Sequence, residues 1–160
     1  MKQKTLAIML LFVIVGVAAC GILVYSVIVP ELGKDLASQG NGEFAYLYKP
    51  WLYFILGTAV PVAAALVISV VIAINIMKNR SFCRTNARLM GVISILAAAD
   101  TAYFFIGNVV FLLRNMSHPG VMIFSMITCI AGAVVTVVAA ALSHYAYKAA
   151  ELKEQCDLTI

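Results

Sequence analysis

The sequence predicts an all-α integral membrane protein, folded as a bundle of four transmembrane helices. Hydrophobic residues make up 64% of the 160 residues, charged residues only 11%, and the mean hydropathy is +1.03. These values lie outside the range of a soluble domain of this size. Four apolar runs occupy most of the chain, at 6–29, 51–77, 89–113 and 121–147. Each exceeds the roughly 20 helical residues that a bilayer core requires, so a single four-span domain is predicted.

The first run, 6–29, has an alternative interpretation. Lys2 and Lys4 precede it, and a basic start followed by an apolar stretch is also how a secretory leader begins. Residues 17–20 resemble a bacterial lipobox, whose cysteine would carry lipid and leave three spans. The residues after this cysteine stay apolar up to position 29, whereas a mature lipoprotein turns polar there. We therefore predict that the run is retained as the first span.

Small residues recur every four positions along one face of the second run and of the fourth. Helices in lipid associate through close backbone approach, so such faces are typical of packing surfaces. We predict that the second and fourth spans pack closely and that the same faces support a homodimer. The alternative is that Ala and Gly are merely frequent in membrane helices. The packing residues are Gly57, Ala65, Gly132 and Ala140, and Pro61, on the same face as Gly57, should kink the second span.

Asp100 is the only acidic residue within the four runs, and it lies near the middle of the third. A carboxylate at the bilayer centre costs about 2.5 to 3.5 kcal/mol, so Asp100 should face the bundle interior and bind hydrogen-bond donors or a proton. Counting inward from the ends of the runs gives Thr136 and Ser69 similar depths. We predict an intramembrane polar site of these three residues. The alternative is a hydrogen bond that only specifies helix packing.

The basic residues predict the orientation of the chain. Eight of the eleven Lys and Arg residues lie before the first run, in the loop between the second and third runs, or after the fourth run. The positive-inside rule therefore assigns both termini and this loop to the cytoplasm, and we predict a multi-pass protein of the plasma membrane.

The middle loop offers a candidate docking surface. Arg80, Arg84 and Arg88 recur every four residues, so a helical continuation would align them on one face. They either set topology and touch anionic lipid headgroups or dock an acidic partner. The C-terminal tail carries Glu151, Glu154 and Asp157, and we predict that it attracts this loop through exposed ion pairs that weaken with salt.

Catalytic patterns are missing from the sequence. It has no nucleophile beside a base, no glycine-rich phosphate loop and no carboxylate pair at glycosidase spacing. The four cysteines form no CxxC, and His118 and His144 fall on opposite sides of the membrane, which disfavours a metal or haem site. We expect a non-enzymatic protein without cofactor, metal or direct nucleic-acid binding.

Motifs in the loop and tail support a family resemblance. Asn79, Phe82 and Asn86, with Leu89 one residue early, follow a loop pattern, and the chain ends Asp157-Leu158-Thr159-Ile160. In these motifs and in layout the chain resembles a family of short four-span bacterial membrane proteins catalogued as a domain of unknown function. Many members have an acid where Thr85 stands, which weakens any acid-dependent role there. Because members are often found beside a small helix-turn-helix regulator, the resemblance implies such a regulator as a partner, at the plasma (inner) membrane of a bacterium. It carries over no catalytic residues.

Together these patterns favour a membrane sensor or a sequestering partner of a cytoplasmic transcription regulator, docked through the three loop arginines. The alternative is a small proton-coupled transporter, or a resistance protein against membrane-active peptides, that works as an oligomer through Asp100.

Overall fold

The computed structural model describes residues 3–38, 46, 48–78, 83–114 and 119–157. These residues form helices and no strand, which confirms the predicted all-α fold class. The elements are α1 (Gln3–Leu23), a π-helical turn (Val24–Ile28), α2 (Val29–Ser38), α3 (Tyr48–Met77), α4 (Arg84–Leu113) and α5 (Pro119–Asp157).

Four helical stretches are long and apolar enough to cross a membrane, so the chain is a multi-pass membrane protein. We call them spans 1 to 4, and each contains one of the four predicted runs. They are Gln3–Asp35, Tyr48–Met77, Arg84–Leu113 and Gly120–Cys156.

The spans pack antiparallel, each mainly against the next in sequence. Spans 3 and 4 share the most extensive contact, and spans 1 and 2 and spans 2 and 3 also pack together. Among the described residues, span 4 makes no more than marginal contact with span 1 or span 2. The end of the bundle at which α3 ends and α4 begins is called the basic end below, because Arg84, Arg88 and Lys148 lie there.

The predicted packing of span 2 against span 4 is wrong. A Cβ atom added at Gly57 would lie 2.7 Å from the hydroxyl of Tyr103, and one added at Gly132 would overlap the hydroxyl of Thr101. Both glycines therefore face span 3. Short connections make consecutive helices antiparallel neighbours, so span 3 lies between the two predicted partners. Ala140 is exposed, and Ala65 is partly buried on span 2.

An aromatic cluster joins spans 2 and 3 at the end opposite the basic end. The ring of Phe54 lies 5.2 Å from that of Tyr103, 5.7 Å from that of Phe104 and 5.5 Å from that of Phe111. Its edge approaches the backbone of Gly107 so closely that a Cβ there would overlap the ring. Gly107 therefore fixes the distance between the two helices at this point.

Span 1 contains a local widening of its helix. In the turn Val24–Ile28 the N–H of Val29 donates to the carbonyl of Val24, five residues earlier. Pro30 follows directly and has no N–H for the carbonyl of Ser26, which explains the irregular turn. The widened turn carries Tyr25, whose hydroxyl lies 2.7 Å from the hydroxyl of Thr58 on span 2.

Substituting Gly107 with alanine tests the close approach of spans 2 and 3. The new methyl group must displace the Phe54 ring, and overpacking of this kind costs about 1 to 3 kcal/mol. We expect a lower unfolding temperature for Gly107→Ala in detergent. Gly16→Ala is the matched control, because a Cβ at Gly16 meets nothing within 4 Å. Equal unfolding temperatures for the two variants would contradict the packing at Phe54.

Candidate functional site

Asp100 lies on the side of span 3 that faces span 2. Gly107 contacts Phe54, and seven residues further along each antiparallel helix stand Asp100 and Pro61. Seven residues make nearly two helical turns, so this step keeps both positions on the same faces. The hydrogen bond from Asn75 to Asn86 gives the same register at the basic end. Asp100 is therefore level with Pro61, near the middle of both spans.

The Oδ1 atom of Asp100 is buried, and no described residue hydrogen-bonds to it. The hydroxyl of Thr136 donates to the carbonyl of Gly132 at 2.9 Å, and that of Ser69 to the carbonyl of Ala65 at 2.8 Å. A hydroxyl has a single hydrogen to donate, so neither donates to Asp100. The predicted three-residue polar site is not formed.

Two features explain why Ser69 and Thr136 do not bond Asp100: the register between the helices and the preference of hydroxyls in helices for carbonyls of their own helix. Ser69 stands eight residues beyond Pro61 on span 2, which is about 12 Å along the helix from the level of Asp100. Serine and threonine inside helices commonly bond the carbonyl four residues earlier, and this preference is readable from sequence. Depth alone was therefore a poor guide to the partners of Asp100.

Two tyrosines hold span 2 beside Pro61. On one side Tyr103 of span 3 donates to the carbonyl of Phe54 at 3.3 Å. On the other side Tyr25 of span 1 bonds Thr58, whose own hydroxyl donates to the carbonyl of Ile55 at 2.7 Å. Both tyrosines were missed as site residues in the sequence, although a tyrosine within an apolar run needs a partner for its hydroxyl.

A second group of hydrogen bonds connects spans 2, 3 and 4 at the basic end. The amide of Asn75 donates to the Oδ1 atom of Asn86 at 2.8 Å, and Asn86 is only 1% exposed. Next to it, Ser143 of span 4 donates to the carbonyl of Ala87 at 2.8 Å. Nearly two turns deeper on both helices, Ser94 donates to the carbonyl of Thr136 at 3.0 Å. The loop-motif asparagine at position 86 is thus a buried packing residue.

The tail of α5 is bound to the start of α4. Arg84 Nη2 lies 2.8 Å from Glu154 Oε2, and the Arg84 guanidinium lies 5.7 Å from the centre of the Tyr147 ring. This pair confirms the predicted attraction between the basic loop and the acidic tail. Arg88, one turn from Arg84, is exposed and has no ion pair within the described part of the chain. Arg80 lies outside the described residues.

Spans 3 and 4 leave an open groove of about 370 Å³ between them. Thr136 lines it together with Thr101 and a set of small or apolar residues: Ala98, Ala102, Phe105, Cys129, Ala133 and Val137. The hydroxyl of Thr101 donates to the carbonyl of Ala97 at 2.7 Å, so the groove offers a ligand no free hydroxyl hydrogen. Among the described residues, no three His, Cys, Asp or Glu side chains are grouped to hold a metal ion.

Comparison with known proteins identifies a family but no activity. The model of the family described as "Protein of unknown function (DUF2975)" matches residues 31–160. No curated protein and no solved structure matches the chain.

Reversing the charge of Arg84 tests the contact between tail and loop. An exposed ion pair contributes less than about 1 kcal/mol, so Arg84→Glu should accelerate amide hydrogen exchange in 148–156 by up to about fivefold. Adding Glu154→Arg should restore the slow exchange, and high salt should remove the difference. Lys34→Glu, which breaks the exposed pair with Glu31 at the other end, is the control. Unchanged exchange in Arg84→Glu would show that this pair does not hold the tail.

Proposed function

Since the chain belongs to the DUF2975 family of proteins of unknown function, we propose its role from its own geometry. It is a non-enzymatic membrane protein that docks a cytoplasmic regulator at its basic end, as a sensor or a sequestering partner. The single observation that carries this proposal is the length of α5, a continuous helix of 39 residues whose last turns we call the arm.

The arm follows from the length of α5. Its 39 residues span about 58 Å, whereas a bilayer core is about 30 Å thick, so the last turns emerge from the lipid. The emerging surface is charged and exposed at Lys148, Glu151 and Lys153. Ala150 is only 1% exposed, so the arm packs against the rest of the chain. A packed, charged helix of this kind presents a fixed surface to a soluble partner.

The arginines of α4 supply the charge for docking. Arg84 and Arg88 stand one turn apart on one face, and Glu154 neutralises only Arg84. The side chains of Arg84 and Glu154 are 47% and 53% exposed, so their attraction is weakened by water and salt. An acidic surface on a partner can therefore replace Glu154 at Arg84 and bind Arg88 at the same time.

The orientation of the chain predicts the compartment in which the partner is located. The positive-inside rule assigns the basic end to the cytoplasm of a bacterial cell. The family resemblance adds the class of partner, a small helix-turn-helix regulator. Binding at the membrane keeps such a regulator away from DNA until a signal changes the docking surface.

A pull-down tests this role. We expect a DNA-binding protein to copurify with the wild-type protein in mild detergent, and to be lost when Arg80, Arg84 and Arg88 are changed to Glu. The control variant makes the same charge change at the opposite end, at Lys34, Lys49 and Arg114. Mass spectrometry identifies the bound proteins.

Charge reversal can also alter membrane orientation, so the same samples need a topology check. Labelling of Cys156 in intact cells by a membrane-impermeant thiol reagent should stay absent in all three proteins, since the tail is assigned to the cytoplasm. If the triple variant keeps this orientation and still retains the DNA-binding protein, the arginines are not its docking site. If nothing but the protein itself is recovered from wild type, the docking role is wrong.

A second candidate function is proton-coupled transport or resistance to membrane-active peptides by an oligomer. The buried, unpaired Oδ1 atom of Asp100 favours it, because acidic side chains within membrane spans are typical of proton and ion pathways.

Asp100→Asn separates the two functions. It removes the titratable group while keeping the size of the side chain, so we expect it to abolish transport or resistance and to leave regulator binding unchanged. Survival of cells exposed to membrane-active peptides, scored beside the pull-down, measures both. Full survival with Asp100→Asn would exclude resistance to these peptides through Asp100.

A further inference from the structure

We propose that Asp100 binds a proton in the middle of the membrane and donates it as a hydrogen bond to the carbonyl oxygen of Gly57. This carbonyl belongs to span 2, and Pro61 leaves it without its usual helical donor. The site is a proton-dependent contact between spans 2 and 3.

The acceptor follows from the position of Pro61 within α3. In an α-helix each carbonyl accepts from the N–H four residues later, and the position four after Gly57 is Pro61, which has no N–H. Inside a bilayer no water replaces this donor, so an unpaired carbonyl there is strongly unfavourable. Proline within a membrane helix is tolerated where a neighbouring helix supplies a donor.

The donor follows from the register between the spans. Helix carbonyls point toward the residue four positions later, so the carbonyl of Gly57 points along span 2 toward the level of Pro61. Asp100 is at this level on the facing side of span 3. One turn away on span 3, the hydroxyl of Tyr103 contacts Gly57 and donates to the carbonyl of Phe54. It satisfies that acceptor and leaves the carbonyl of Gly57 to Asp100.

The contact requires the protonated acid. A carboxylate and a carbonyl are both acceptors, whereas a protonated carboxyl has one O–H to donate. Within the described ranges, the other titratable groups near this level are Tyr103 on span 3, Cys129 on span 4, and Tyr25 and the exposed Cys20 on span 1, beyond span 2. Residues 51–77 and 89–113 contain no Lys, Arg or His, so no cation in these runs neutralises the carboxylate. Asp100 takes its proton from hydronium, which leaves water behind.

Proton uptake therefore forms a hydrogen bond between spans 2 and 3 beside Pro61, and proton release breaks it. The proton site rests on neither candidate function, since Asp100 can bind a proton with or without docking or transport.

Infrared difference spectroscopy tests the site on the full-length protein in phosphatidylcholine vesicles, titrated between acidic and alkaline pH. We expect a C=O band of a protonated carboxyl that is lost in Asp100→Asn. In Pro61→Ala the restored N–H takes the Gly57 carbonyl, so the same band should shift to higher frequency as its hydrogen bond weakens. Asp35→Asn and Pro30→Ala are the matched controls, and both should leave this band unchanged.

Each other result overturns part of the proposal. If no band depends on Asp100 at any pH at which the protein stays folded in the vesicles, Asp100 binds no proton. A band that is lost in Asp100→Asn but is identical in Pro61→Ala and wild type shows that its partner is not the Gly57 carbonyl. Regulator binding in the pull-down is unaffected by either outcome, so failure here is distinguishable from failure of the docking role.

Discussion

The structure depends on one constraint: inside lipid, a polar group must find its partner within the protein. The hydroxyls of Ser69, Thr101 and Thr136 meet it by bonding to carbonyls of their own helices. The amides of Asn75 and Asn86 meet it across two spans. Asp100 is the exception, since its buried Oδ1 has no partner among the described residues. Because Asp100 departs from so strong a rule near the middle of its span, we expect it to have a functional role.

Span 3 organises the molecule because both of its neighbours depend on it. Phe54 of span 2 packs into the gap at Gly107, and Gly132 of span 4 admits the side chain of Thr101. Spans 1 and 4 lack extensive contact within the described residues, so the bundle is open between these two spans. A bundle that is open along its length leaves many apolar side chains for lipid or for another copy of the chain, and this explains its small buried core.

The two candidate sites differ in the strength of the interactions that form them. At the basic end, Arg84 and Glu154 attract each other in water, where such a pair is weak and easily exchanged. Near the bilayer centre, the contact proposed between protonated Asp100 and the span 2 backbone forms without water, where each polar contact is worth more. A surface contact of the first kind suits reversible docking, and a buried contact of the second kind suits binding of a proton.

The sequence by itself determined the fold class, the four spans, the family and the attraction of the acidic tail to Arg84, because each depends on composition, run length, local motif or net charge. The tertiary structure decided which surfaces meet. The spacing of small residues predicted that Gly57 and Gly132 face each other, yet both face span 3. Short connections make consecutive helices neighbours, so span 3 separates the two glycines. The partner proposed for Asp100 depends on the register between two antiparallel helices, and the contact of Phe54 with Gly107 sets that register. Such side-chain contacts are fixed by packing between distant parts of the chain, which periodicity along one helix does not encode.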